Sequence, residues 1–320
     1  MNHITMTGRD SPVLLSKITL GSCYFGNGID ETECDAMMDA YYEAGGRTLD
    51  TARMYACWLP AGDMSERVIG RWLRDRGLRR EMTVVTKGGH PPLEQMNLGR
   101  LSPADLTGDL KQSLSALDTD YIDLYLLHRD DPGRPVSDIM DTLHGFVVAG
   151  VVQAVGVSNW SLPRILQANA YAAEAGKTPL AVSQLQWSYA HSTPADWGDD
   201  TLVCMTEGEY AGYQEAELPV MAFSPQAKGL FSKIIAGGEP ALNEKIRGRF
   251  LNERNRRRIE AVRAAADRTG CSPAAVALSF LTQNPLPTVA VVGCSDRVQL
   301  ADSLTAARIG EPLPELWDAE

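Results

Sequence analysis

Four side chains of complementary chemistry close short stretches of this chain. Asp50 and Tyr55 lie in LDTARMY, Lys87 closes VVTK, and His128 closes YIDLYLLH. A phenol with its ordinary pKa near 10 is a poor acid at neutral pH. An ammonium beside it favours the phenolate and lowers that pKa. The Asp50 carboxylate would hold Lys87 charged and in place, and a neutral His128 could orient a substrate oxygen by a hydrogen bond. Together they can protonate a carbonyl oxygen as it becomes an alkoxide. Such a site needs an electron-pair donor, and a nicotinamide hydride is the obvious one. Singly, each residue has a bland reading: a strand-end Lys or His is more often solvated or structurally satisfied, and a loop Tyr is more often an aromatic lid. All four at successive strand ends are much harder to reach by accident.

The elements that would position them are eight apolar runs: KITLGSCYF (17–25), TLDTA (48–52), MTVVTK (82–87), YIDLYLLH (121–128), VQAVGVSN (152–159), LAVSQLQW (180–187), PVMAFSP (219–225) and TVAVVG (288–293). Runs so uniformly apolar read as strands covered on both faces, hence a parallel sheet. Helix signals lie between them. SERVIGRWLRDRG (65–77) starts on Ser and Glu and ends on Gly. SPADLTGDLKQSLSAL (102–117) offers Ser102 as N-cap, Pro103 at the first helical position and Asp105 as a capping-box-like acid. SPAAVALSFLTQNP (272–285) repeats the Ser-Pro start and stops at a proline. Eight strand-then-helix units match a (β/α)8 TIM barrel of the α/β class, usually about 250 residues plus insertions. The rival doubly wound sheet would show G-x-G-x-x-G after its first strand, and FGNGIDE lacks the third glycine. No Pro/Gly/Ser linker divides residues 1–320, so the expectation is one domain without a Rossmann domain. A short hairpin is expected in NHITMTGRDSPVLLSKITLG, before the first barrel strand. In such barrels the chemistry sits at the C-terminal ends of the strands, which is where the four residues fall.

The chain has 320 residues, of which 44% are hydrophobic, and a formal charge of −11. That acidic balance lacks the basic footprint of a nucleic-acid binder. RNRRRIEAVR (254–263) is read as the solvated face of a helix. The six cysteines form no C-x-x-C pair, so a zinc knuckle is not expected, and their scatter suits reduced thiols in the cytoplasm. No signal-peptide core and no membrane span is read, and NWS at 159–161 is taken as a chance glycosylation match. GKT at 176–178 and HRD at 128–130 each lack the partners of a phosphate loop or a kinase loop. Asp130 and Asp131 are read as a solvated loop rather than a glycosidase pair.

From about residue 17 to about 304 the sequence resembles the aldo-keto reductases. The resemblance rests on GGRTLDTARMY, SERVIGRWL, VVTKGG, YIDLYLLHRDDP, GVSNW, AFSP and VVGCSDRVQL, in that order and spacing. It implies a (β/α)8 barrel and a catalytic tetrad of Asp50, Tyr55, Lys87 and His128, with Tyr55 the general acid in reduction and the base in oxidation. It implies NADPH/NADP as cofactor, with NADH/NAD as the alternative. Ser158, Asn159 and Gln184 match the partners of the nicotinamide carboxamide, and Phe223 stands where a Tyr or Trp usually stacks. Ser224 and Lys233 match pyrophosphate contacts. Gly21, Ser22, Asp50 and Gly293 belong to the same cofactor-binding set. After the eighth strand, Ser295, Arg297 and Gln299 fit the pattern, while Asp302 replaces a common Glu and Ser303 the usual Asn. Arg297 would donate to a 2′-phosphate, and Asp296 would repel one if it pointed inward.

Tyr24, Trp58, Arg129 and Trp160 are expected to wall a substrate pocket. With His191 and Asp196 nearby, several indoles among polar groups suit a sugar or polyol carbonyl. Trp187 is read evenly as core packing or pocket wall. The segment 188–217 is expected to shape the pocket and to include a helix. The implied partner is a small-molecule carbonyl, with no nucleic acid and no membrane. A regulatory or redox-sensing subunit of the same fold, binding cofactor with little turnover, is the alternative to an enzyme.

Overall fold

Each of the eight apolar runs forms a strand, and the strands close on themselves. The computed structural model describes residues 2–59 and 62–317. A hairpin, β1 (His3–Met6) and β2 (Val13–Ser16), precedes the barrel strands β3 (Ile18–Gly21), β4 (Thr48–Asp50), β5 (Thr83–Gly88), β6 (Ile122–Leu127), β7 (Val152–Ser158), β8 (Ser183–Gln186), β9 (Val220–Phe223) and β10 (Thr288–Val292). They form a closed barrel in the order β10-β3-β4-β5-β6-β7-β8-β9, every neighbour parallel. The expected hairpin is present, antiparallel, with Ile4 opposite Leu15.

Alternation along the strands divides the apolar residues into two layers. Val84, Tyr125 and Leu127 face outward and pack with Met37, Met38 and Trp72 of the surrounding helices. Val85, Leu124, Leu126, Ala154, Val182, Met221, Val289 and Val291 form the inner layer. Ile4, Met6, Val13 and Leu15 of the hairpin pack against that inner layer, so the hairpin plugs one end of the barrel. Inward positions nearer the other end are polar: Lys87 follows Val85 by two residues on β5 and is fully buried.

The helices α1 (Glu31–Glu43), α2 (Met64–Arg76) and α3 (Pro103–Ala116) follow β3, β4 and β5. α3 starts as expected: Ser102 accepts the Asp105 N–H, and Pro103 sits in the first turn. The helix Pro273–Thr282 repeats this with Ser272. α2 differs from expectation. It begins at Met64 with Asp63 at φ 48°, so Ser65 is inside the first turn and buried rather than capping it. Gly77 ends the helix in the left-handed conformation.

After β8 the chain runs out through the short helix Pro194–Trp197 and returns to bridge Gln186 with Cys204 before the helix Glu207–Glu215. Trp187 is core, its ring packed with Tyr210 and Phe280. The basic run lies in the helix Glu253–Thr269. Among the described residues no helix is long and apolar enough to cross a membrane.

Candidate active site

β4 and β5 run side by side, with Asp50 level with Val85, and this register brings Asp50 and Lys87 together inside the barrel. The Lys87 ammonium donates to Asp50 Oδ1 and to the Thr51 carbonyl, each at 2.7 Å. Both side chains are buried, Lys87 at 0% and Asp50 at 2% exposure. The second Asp50 oxygen accepts from Gln184 Nε2 at 2.8 Å, so neither oxygen lacks a donor. Past β4 a turn brings Tyr55 back over the pair, with its hydroxyl 3.4 Å from Lys87 Nζ. Ala56, buried at φ 61°, is held in the left-handed region, and Arg53 pairs with Asp63 across the loop. The His128 ring meets Tyr55 edge-on at 5.8 Å between centroids. All four residues therefore converge at one mouth.

The electrostatics differ in one respect from the expectation for the phenol. Burial first, and then the Asp50 charge, push Tyr55 well above 10; Arg129 opposes them weakly. The Lys87 ammonium, paired with Asp50 at short range, does not bring the phenol down. At neutral pH Tyr55 is a protonated donor. His128 moves the other way: burial, then His90, Arg129 and Lys87, hold its imidazole well below 6.5, so it is neutral.

The expected cofactor residues separate into groups. Ser158 and Gln184 are level on adjacent strands β7 and β8, and Asn159 follows at φ 59°. Asn159 Nδ2 donates to Ser158 Oγ at 2.9 Å, and its Oδ1 accepts from the Val203 N–H at 3.3 Å. Side-chain amides and a hydroxyl thus lie side by side at two strand ends, a donor and acceptor set complementary to a carboxamide. Phe223 ends β9, half-buried, and Ser224 follows at φ 52°. Gly21 ends β3 level with Asp50, and Gly293 follows β10 in open space.

Ser22 is a correction. It is fully buried, and its hydroxyl donates its one hydrogen to the Asp50 carbonyl and lies 2.7 Å from Ser65 Oγ, so the side chain has no donor for a ligand. Lys233 is exposed and donates to the Lys228 carbonyl. Ser295, Arg297, Gln299 and Asp302 lie at or in the helix Arg297–Thr305. Asp296 caps this helix by accepting the Gln299 N–H, and Gln299 in turn accepts the Ser295 N–H. Arg297 donates to Glu33 of α1 at 3.2 Å. Ser303 is buried and hydrogen-bonded to Gln226, a residue the sequence did not single out.

The expected pocket walls also divide. Tyr24 and Trp58 stand exposed on the loops after β3 and β4. Arg129 is held by Asp199 at 3.2 Å and Thr201 at 3.0 Å, both from the excursion after β8. Trp160 is a correction: it is 0% exposed, with the Arg164 guanidinium 5.1 Å from its ring centre, so it belongs to the helix layer and offers a ligand no surface. His90 was missed. Its ring packs edge-on against His128 at 4.7 Å. Its Nδ1 lies 2.6 Å from the Pro91 carbonyl, which can only accept, so the proton is on Nδ1. The signal was available in KGGH, three residues past Lys87, whereas nothing in the sequence pointed to Asp199.

The family model described as Aldo/keto reductase family matches residues 17–315. Norsolorinic acid reductase stcV of Emericella nidulans is 27% identical over 96% of this chain and 78% of its own length. An uncharacterized oxidoreductase, YrpG, of Bacillus subtilis is 28% identical over 92% of this chain and 88% of its own. The aryl-alcohol dehydrogenase [NADP(+)] of Phanerodontia chrysosporium is 29% identical over 85% of this chain and 72% of its own.

Proposed function

We infer the reaction from one premise: this chain belongs to the aldo/keto reductase family. It is an oxidoreductase of carbonyl compounds, and the finer reading is an NADPH-dependent reductase in which Tyr55 is the general acid. One observation carries that role. The protonated Tyr55 hydroxyl sits 3.4 Å from an ammonium that is itself fixed by Asp50 and the Thr51 carbonyl. When bound, the nicotinamide supplies the hydride. Ser158, Asn159 and Gln184 would hold its carboxamide, and Phe223 would give a flat face to the ring. Neutral His128 donates to the carbonyl oxygen and orients it. Tyr55 hands its proton to that oxygen as negative charge develops, and Lys87 stabilises the phenolate left behind.

Both titration shifts bear on pH. Tyr55 remains a proton donor below its raised pKa, and His128 remains neutral above its lowered one. The expected kcat for reduction is therefore level from about pH 6 to 9, measured with saturating cofactor in constant-ionic-strength buffers. A kcat that falls steadily from pH 6 to 9 would count against a phenol pushed upward.

For the substrate, an aromatic aldehyde or ketone is the better reading. Two of the indoles that suggested a sugar pocket, Trp160 and Trp187, are buried in the core, while Tyr24 and Trp58 leave flat apolar surface at the mouth. Two relatives carry names of aromatic substrates, aryl alcohol and norsolorinic acid. NADH is a second reading of the cofactor, favoured by the engagement of Arg297 with Glu33 and by the Asp296 carboxylate capping the same helix. Consumption of NADPH and of NADH with benzaldehyde, acetophenone and xylose tests these points together. The expected kcat/KM is at least about tenfold higher for the aryl carbonyls than for xylose. The reverse order restores the sugar reading. Tight NADPH binding with no turnover across the panel would indicate a sensor or regulatory subunit.

A further inference from the structure

Behind the Asp50–Lys87 pair lies a cluster of buried hydroxyls outside the mouth. Ser22 Oγ donates to the Asp50 carbonyl at 2.9 Å. Ser65 Oγ, from the first turn of α2, lies 2.7 Å from Ser22 Oγ and 2.8 Å from Thr51 Oγ1, and reaches the Ser22 carbonyl at 2.9 Å. All three residues are 0% exposed. Each hydroxyl has one hydrogen, which constrains the pattern. Ser22 donates to the Asp50 carbonyl, and Thr51 donates to Ser65. Ser65 shares its hydrogen between the Ser22 carbonyl and hydroxyl. Ser65 alone of the three touches both of the others, so it is the hub.

The hub acts on the groups that seat the ammonium. Lys87 donates to Asp50 Oδ1 and to the Thr51 carbonyl, and both acceptors belong to the two residues whose backbone and side chain the hub ties to β3. The next residue of α2 extends the grip: Glu66 accepts from Thr86 Oγ1 at 2.6 Å, and Thr86 immediately precedes Lys87 on β5. One helical turn thus fastens three adjacent strand ends, those of β3, β4 and β5.

We propose that Ser65 is a positioning residue for the reaction, fixing residues 50–51 through its hydroxyl and so seating the Lys87 ammonium beneath the Tyr55 phenol. The proposal rests on the reductase reading for its kinetic consequences, but the seating itself can be measured without turnover. In Ser65→Ala holoenzyme the expected kcat is about tenfold lower, with KM for the carbonyl and for the cofactor within about twofold. Ser65→Thr, which keeps the hydroxyl, is expected to recover most of the loss. In the turnover-free arm, trinitrobenzenesulfonate labelling of Lys87 is followed by peptide mass spectrometry against Lys111 as internal standard. Ser65→Ala is expected to label Lys87 several-fold faster than the wild type. Thr51→Val, which removes the same hydrogen bond from its other end, is expected to do likewise and serves if Ser65→Ala fails to fold. Wild-type labelling and wild-type kcat in a folded Ser65→Ala would overturn the proposal, leaving Ser65 a buried packing residue. Faster labelling in a protein whose wild type reduces no carbonyl would uphold the seating and strike the reductase reading alone.

Discussion

Tyr55→Phe is expected to lower kcat for carbonyl reduction by about a thousandfold, the middle of the range for loss of a general acid. Cofactor affinity should stay within about twofold, because Ser158, Asn159 and Gln184 form their cluster without touching the phenol. Stability should change little. Among the described residues the hydroxyl has one hydrogen-bond partner, Lys87 at 3.4 Å, and so long a contact contributes at most about 1 kcal/mol. The separation matters: a variant that binds NADPH, melts normally and fails to turn over assigns the proton to Tyr55. Stopped-flow mixing of preformed variant–NADPH complex with carbonyl would isolate the step. A transfer rate within about tenfold of wild type would remove Tyr55 from its role, since loss of a proton donor ordinarily costs more.

The second large effect belongs to stability as much as to activity. Lys87→Met leaves the buried Asp50 carboxyl without its ammonium partner, with the Gln184 amide still donating to it, and it strips the Thr51 carbonyl of the Lys87 donor. Removing one partner of a buried pair costs on the order of 3–5 kcal/mol. The double variant Asp50→Asn with Lys87→Met replaces the charge by an amide that Gln184 can still serve, and it should regain most of that loss. Activity should remain absent in both. Urea unfolding midpoints for the wild type, the single variant and the double variant form the comparison. Equal destabilisation of the single and the double variant would mean that shape, not uncompensated charge, governs this part of the core.

The strands were legible because their chemistry repeats: a strand between an inner packed layer and an outer helical layer must be apolar throughout, and eight such runs have few architectures open to them. The convergence of the four polar side chains was legible for a related reason. A polar residue ending such a run has no use in packing, so Asp50, Lys87 and His128 stand out, and the strand-end rule gathers them. What the sequence hid was direction. Ser65 looked like a helix cap, but the chain turns at Asp63 and starts α2 one residue earlier, which aims Ser65 at the strands. Trp160 looked like a pocket wall because it follows Asn159, yet the left-handed turn at Asn159 accompanies a ring buried in the helix layer. The phenol's titration was misjudged because burial, its main cause, is not written in the local sequence, and Asp50 was weighed for its hold on Lys87 and not for its charge on the phenol. The grip of Asp199 on Arg129 spans residues 70 apart in sequence, and no local pattern encodes it.

The pairing of β3 with β10, Ile18 beside Ala290, completes the ring from opposite ends of the chain. Bringing such distant segments together carries a loop-closure cost, one that grows only slowly with the length of chain between them. Until that seam shuts there is no enclosed mouth, and the groups contributed by β3 and β10 are not beside those of β4 to β8. A molecule that recognises the finished mouth therefore distinguishes the sealed ring from every partly assembled form. Its binding free energy adds to the stability of the whole barrel, by about 2.7 kcal/mol at a hundredfold excess over Kd. The mouth would in this sense be a clasp: a ligand that touches both β3 and β10 would hold the first and last strands of the barrel together.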